Sequence, residues 1–198
     1  MKNRFLLNDK KYPLSISGIF MLILLFSACK TSLLPYDTTI AVKSERLSPV
    51  DLTEKRVLVV SYDSELTREF LISLKNYVRE ELKTHKITTE RFNIRQNEAD
   101  DAAAFMKLKT DFKPDYLLTI KVSGERTRKF YLIGKAVKKL RGMNLTLNLL
   151  PYAQNTEGAS VWQSDVDINH FYDTEYVAAA KRMAKDLGIK MQKDLIIK

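Results

Sequence analysis

A single mixed α/β (α+β) sheet with about three helices, in the order β-α-β-α-β-β-β-β-α, is the fold this 198-residue chain predicts. Three observations carry that reading. Val57-Leu58-Val59-Val60 is a continuous apolar run, as expected of a central strand covered on both faces. Two stripes of apolar residues, one after that run and one closing the chain, recur at helical spacing. Between them lie several segments with two-residue alternation. The length suits one domain with its own core. A content of 45% hydrophobic and 29% charged residues is a globular balance.

The elements follow in order. Regular structure is expected from Arg56 onward. Asp63 and Ser64 end the first strand and are able to cap a helix. Phe70, Leu74, Tyr77, Val78 and Leu82 then share one face, so residues 65–85 read as a long amphipathic helix. Residues 88–95 alternate weakly at Phe92 and Ile94 and read as a strand. Asn97, with Asp100 three residues on, resembles a capping box that opens a helix through Phe112, and Lys113-Pro114 ends it.

The second half changes character. Tyr116, Leu118, Ile120 and Val122 alternate, residues 130–133 form a further strand, and Leu145, Leu147 and Leu149 alternate with Thr146 and Asn148. A turn at residues 155–158 precedes alternation at Trp162, Val166 and Ile168. The last helix carries Tyr176, Ala180, Met183, Ala184, Leu187, Met191 and Leu195 on one face. Gly188 within it costs about 1 kcal/mol relative to Ala and marks a bend or an earlier end. A sheet with its helices on one main face buries these stripes.

The N-terminus has three parts. Lys2, Arg4, Lys10 and Lys11 face a single acid, Asp9; residues 14–26 are uncharged and largely apolar; Ser27 and Ala28 are small. This is the layout of a secretory signal, assigned to residues 1–28. The uncharged stretch is shorter than the roughly 20 residues of a comfortable transmembrane helix. Cys29, the one cysteine, follows at once. Phe26-Ser27-Ala28-Cys29 resembles the lipobox of bacterial lipoproteins. That resemblance implies a diacylated Cys29 thiol, cleavage before it, and an acylated new N-terminus. Lys30, where enterobacterial lipoproteins carry Asp for inner-membrane retention, implies the outer membrane, periplasmic face. Residues 29–54 hold Pro35 and Pro49 with scattered Ser and Thr, and read as a lipidated tether in which Ile40-Ala41-Val42 can pair as a short edge strand. Residues 55–198 are the globular domain.

Within that domain, "PDYLLTIKVSG" at residues 114–124 and "LTLNLLPYAQNTEGASVWQSDVDI" at residues 145–168 resemble the periplasmic lipoprotein domains of the TolB amino-terminal, CsgG and LpoB type. Asp115-Tyr116, Thr156-x-Gly158 and Val161-Trp162 carry the resemblance. It implies an adaptor or assembly part and no catalysis.

Motifs for chemistry are scarce. Neither a Walker loop nor a G-x-S-x-G elbow occurs. One cysteine forms no disulfide within the chain, and once lipidated it serves no Cys–His catalysis. His85 and His170 are isolated, without H-E-x-x-H. Asp165-x-Asp167-x-Asn169 matches the first ligand spacings of an EF-hand loop, but His170 stands where Gly must turn and Tyr176 where a bidentate Glu is needed. On a strand those three residues share a solvated face. No catalytic residue, metal ligand set or cofactor is assigned.

Charge is more informative. The net charge is +9; residues 1–28 hold four of the 33 basic and one of the 24 acidic side chains, so the remainder keeps +6. Lys121, Arg126, Arg128, Lys129, Lys135, Lys138, Lys139 and Arg141 crowd one segment, with Glu125 its only acid. An exported protein rarely meets nucleic acid, so the partners expected are anionic lipid, lipopolysaccharide or an acidic envelope protein. Lys135, Lys138, Lys139 and Arg141 are the expected anionic-surface contacts. The function expected is a non-enzymatic, lipid-anchored binding or assembly accessory of the cell envelope. The alternatives are a glycan- or lipid-processing enzyme using Asp165, Asp167 and Tyr172, and a carrier of lipopolysaccharide or a small ligand.

Overall fold

The computed structural model describes residues 38–63, 67–95, 99–132, 135–153, 156–172 and 175–198. Its elements are β1 (Thr39–Arg46), β2 (Arg56–Asp63), α1 (Arg68–Thr84), β3 (Thr88–Arg95), α2 (Ala99–Phe112), β4 (Tyr116–Leu132), β5 (Lys135–Ala153), β6 (Thr156–Glu157), β7 (Trp162–Tyr172) and α3 (Tyr176–Lys193). Six strands form one mixed sheet in the order β1-β7-β5-β4-β2-β3, and β6 adds a two-residue rung on β5. β2 pairs in parallel with β3 and β4, and the remaining pairings are antiparallel. The predicted fold class is that of the structure, and so is the predicted element order from β2 onward. No helix among the described residues is long and apolar enough to cross a membrane.

β2 lies at the centre of the parallel half. Val57, Leu58, Val59 and Val60 are each at most 1% exposed, because both sides of the strand are covered. Val57 and Val59 join the larger core with Phe70, Leu71, Leu74, Val78 and Leu82 of α1 and Ala180, Met183, Leu187 and Met191 of α3. Leu58 and Val60 face the other way, with Leu117, Tyr152 and the α2 residues Phe105, Leu108 and Phe112. The sequence expectation of one main helical face is corrected here. The crossovers β2-α1-β3 and β3-α2-β4 step in opposite directions across β2, so two right-handed connections place α1 and α2 on opposite faces. The face shared with α2 stays polar over β5, β7 and β1, where Asn144, Asp165, Lys43 and Glu45 are exposed.

Several local expectations change. Residues 130–133 do not open a separate strand: Phe130 to Leu132 continue β4. The segment 29–54 is not a tether throughout. β1 pairs along its whole length with β7, Val50 and Leu52 are 7% and 0% exposed, and the compact unit begins at Asp37. The physical reason is burial, since Leu52 closes the core beside Ile196 and donates its N–H to the Ile196 carbonyl at 3.0 Å. The N-cap of α1 is Thr67, not Asp63, which belongs to β2. Asn97 and the cap it was expected to form lie outside the described residues. α3 runs on through Gly188 to Lys193, and Leu195 leaves the apolar stripe at 69% exposure and φ 58°.

Candidate functional site

The strands β4 and β5 have 17 and 19 residues, against a usual five or six. Their length exceeds what the rest of the sheet uses. β2 pairs with β4 only from Tyr116 to Lys121. β7 pairs with β5 only from Leu149 to Leu140. Beyond those rungs β4 and β5 pair with each other, down to Leu132 opposite Lys135. Among the described residues the result is a two-stranded arm that continues past the sheet. The five β5 residues ahead of Leu140 alone span about 17 Å at the usual rise.

Two irregularities shape the arm. The register slips between Val122 and Gly124 and again between Phe130 and Tyr131. Such bulges bend a strand and increase its twist, which re-aims the rungs beyond them. A third slip, between Arg141 and Met143, sits where β5 leaves β7.

At the base, charge is held in place. Lys121 Nζ lies 4.9 Å from the ring centroid of Tyr62, at the end of β2. Arg126 stands opposite Gly142 in the ladder and crosses over it to ion-pair with Asp167 of β7, with a further 3.5 Å contact to the Ile168 carbonyl. A Cβ at Gly142 would stand 3.0 Å from the Ile168 oxygen and 3.2 Å from Arg126 Nε, so glycine here is the slot through which the guanidinium passes. Asp165 accepts from Thr146 Oγ1 at 3.1 Å. The acidic row suggested by its calcium-like spacing is thus engaged in cross-strand pairs. No group of three metal-ligating side chains occurs among the described residues.

The sequence-predicted contacts fall on this arm by backbone position. Lys135, Lys138 and Lys139 stand in register with Leu132, Phe130 and Lys129, and Arg141 with Thr127. Arg141 is half-buried at the base. Cys29 lies outside the described residues, and Tyr172 closes β7 opposite Leu140. His85 follows α1, and its Nδ1 is 2.7 Å from the Lys198 carbonyl. Sequence reasoning missed the arm itself. Its signal was available as an unbroken span without Pro from Tyr116 to Leu150.

Two spaces lie elsewhere among the described residues. One is a void of about 10 Å³ among Val78, Leu82, Leu147, Trp162 and Met191, room for no more than a water. The other is an open groove between α1 and α3, where Glu80 and Glu81 face Lys181, Arg182 and Lys185 across Tyr77 and Ala178.

No family model and no curated protein matches the chain. Among solved structures it is similar to a PelC dodecamer subunit from Paraburkholderia phytofirmans, at 17% identity and a TM-score of 0.49 over 76% of this chain and 96% of that one. It is also similar to lipoprotein GNA1162 from Neisseria meningitidis, at 14% identity and TM-score 0.38 over 71% and 99%. A minor lipoprotein from Acinetobacter baumannii matches at 10% identity and TM-score 0.37 over 76% and 98%. Bacterial lipoproteins are therefore among the structures it is similar to, and no family assignment follows at these values.

Proposed function

We propose that this chain is a non-enzymatic, lipid-anchored accessory of the bacterial cell envelope, held by Cys29 at the periplasmic face of the outer membrane, and that its β4–β5 arm binds an anionic partner. One observation carries the reading: a long arm leaves the sheet and bears Arg128, Lys129, Lys135, Lys138 and Lys139 with no acidic residue between them. A projecting, like-charged element stays solvated and attracts any anionic surface within a Debye length, about 8–10 Å at ordinary ionic strength. The resemblance of Asp115-Tyr116 and Val161-Trp162 to adaptor domains of the TolB amino-terminal, CsgG and LpoB type supports the same role. The enzymatic alternative asks for carboxylates set in a cleft with separated pKa values. Asp165 and Asp167 instead lie on an open sheet face in pairs with Thr146 and Arg126.

The test has two parts. Metabolic labelling with a palmitate analogue should mark the wild type and not Cys29→Ser; equal labelling of both ends the anchor reading. Recovery of partners from solubilised membranes should then depend on the arm. If the Gln variant of Lys135, Lys138, Lys139 and Arg141 recovers the same partners at the same salt, the arm is not the contact.

A further inference from the structure

We infer that two copies of this chain pair through the groove between α1 and α3, about a two-fold axis parallel to both helices. The contact goes beyond the accessory role proposed above and depends on neither Cys29 nor the β4–β5 arm.

The groove keeps its charges apart. It offers about 510 Å³ over Tyr77 and Ala178. Glu80 and Glu81 form its α1 rim, and Lys181, Arg182 and Lys185 form its α3 rim. Among the described residues no ion pair crosses from one rim to the other. On its own helix Glu80 meets Arg79 at 3.7 Å and Lys83 at 3.5 Å, exposed pairs that contribute little. Lys181 and Lys185 stand one turn apart on α3, a spacing at which like charges repel. A partner of one charge sign would gain at one rim and lose at the other. A second copy carries both signs in the arrangement the groove asks for.

Topology sets the helix directions. β2 is parallel to β4, and β4 and β7 are both antiparallel to β5, so β7 runs with β2. α1 follows β2 and α3 follows β7, so both helices start at the same end of the sheet and run side by side. Their far ends also meet, His85 Nδ1 lying 2.7 Å from the Lys198 carbonyl. A Cβ on Gly188 would touch Glu81, which sets Glu81 level with Gly188. By that offset Lys185 is level with Val78, between Asn76 and Glu80 on the α1 ridge Ile72-Asn76-Glu80-Thr84.

A two-fold axis along the groove keeps every level and exchanges the helices. The α3 ridge Val177-Lys181-Lys185-Ile189 of one copy then interleaves with the α1 ridge of the other. Lys185 meets Glu80, and Val177, 41% exposed in the single chain, comes beside Ile72. Ile189, 40% exposed, falls between Glu80 and Thr84. The seam forms twice, as in any isologous pair. A two-fold axis across the helices would set α1 on α1 and α3 on α3, acid against acid and base against base.

The test uses two differently tagged copies of the full-length chain, produced together, extracted in mild detergent and captured through one tag. Wild type should capture wild type at low salt, and several-fold less near 1 M salt, where screening acts within about 3 Å. Glu80→Lys with Thr84→Lys reverses the α1 rim, and Lys181→Glu with Lys185→Glu reverses the α3 rim. Glu81 and Arg182 are left in place, because Glu81 packs on Gly188 and Arg182 donates to the Thr38 carbonyl. Each reversed chain should lose capture of its own kind several-fold and keep its melting temperature. The two reversed chains should capture each other at the wild-type level, since both seams then oppose unlike charges. If a reversed chain melts early, Glu80→Gln and Lys185→Gln serve instead, and each should weaken self-capture. No capture of wild type by wild type at low salt overturns the inference. So does undiminished self-capture of the altered chains, or failure of the two folded reversed chains to capture each other.

Discussion

Asp51 shows how one exposed side chain is tuned by its neighbours. Lys198 Nζ stands 2.5 Å from its carboxylate, and Thr53 donates both N–H and Oγ1 to it, at 2.9 and 2.5 Å. The Lys198 contact, then the two Thr53 bonds, hold the carboxyl far below the ordinary 3.8. The folded-state value being the lower one, this contribution is present above the unfolded pKa and is lost as pH falls through the folded one. Asp51 is exposed, so the effect on stability is small. A pH titration followed by carboxyl NMR should place Asp51 among the most acidic carboxylates, and Lys198→Ala should raise it. Gly188 makes the opposite point, since its role is space. A Cβ there would meet Glu81 Oε1 at 2.6 Å and Cγ at 2.7 Å, so the glycine admits the Glu81 side chain where α1 crosses α3. Gly188→Ala should lower the melting temperature in the wild type. In a Glu81→Ala background the same change should stabilise by about 1 kcal/mol, the ordinary helix-propensity gain. Additive effects in that cycle would mean the contact is immaterial.

Among the elements, α3 is pinned by more than its apolar stripe. Trp162 of β7 is fully buried and donates its indole N–H to Asp194, just past the helix, at 2.8 Å. Asp194→Ala leaves that donor inside the core without its acceptor, and should cost about 1–3 kcal/mol in a denaturant melt followed by the fluorescence of the one tryptophan. An unchanged midpoint would mean water replaces the carboxylate without loss. The apolar part of α3 was legible in the sequence: Ala180, Met183, Ala184, Leu187 and Met191 are all buried. Periodicity reports which face is apolar, and burial follows from that. Val57 to Val60 were legible for the same reason. Asp194 was not, because a polar residue after a helix carries no sign of which distant ring it will meet. Nor were α1 and α2 on opposite faces, which depends on strand order, a property of long-range pairing. The candidate site was legible as a charge run at Lys135, Lys138, Lys139 and Arg141. That it forms a continuous arm was hidden, because Arg126-Thr127-Arg128-Lys129 has no apolar alternation and signals a loop to any rule that looks for a buried face. A strand that pairs only with its own hairpin partner has no such face to show.

The whole molecule depends on a segment that composition assigned to a linker. β1 covers the edge of β7, and Val50 and Leu52 plug the core beside Ile196 and Ile197. A version starting at Lys55, where the sequence places the domain boundary, should be less stable than one starting at Asp37 and should aggregate through the bared β7 edge. Comparing thermal melts and sedimentation of the two settles it; matching melts and two monomers would mean β1 is an accessory. The pairing of Thr39 with Asn169 also has a bearing on how the molecule comes into being. Synthesis delivers residues 39–46 early and their partner only near the end. Helix α1 with the parallel ladder of β2 and β3 involves near neighbours in the chain and is fast to assemble, whereas the β1–β7 seam must close one of the longest loops available. For most of its emergence the chain therefore carries an unpaired first strand, and later a complete sheet with one edge still open. The moment of greatest exposure to misassociation comes last, and the strand that ends it is the one joined directly to the proposed membrane tether.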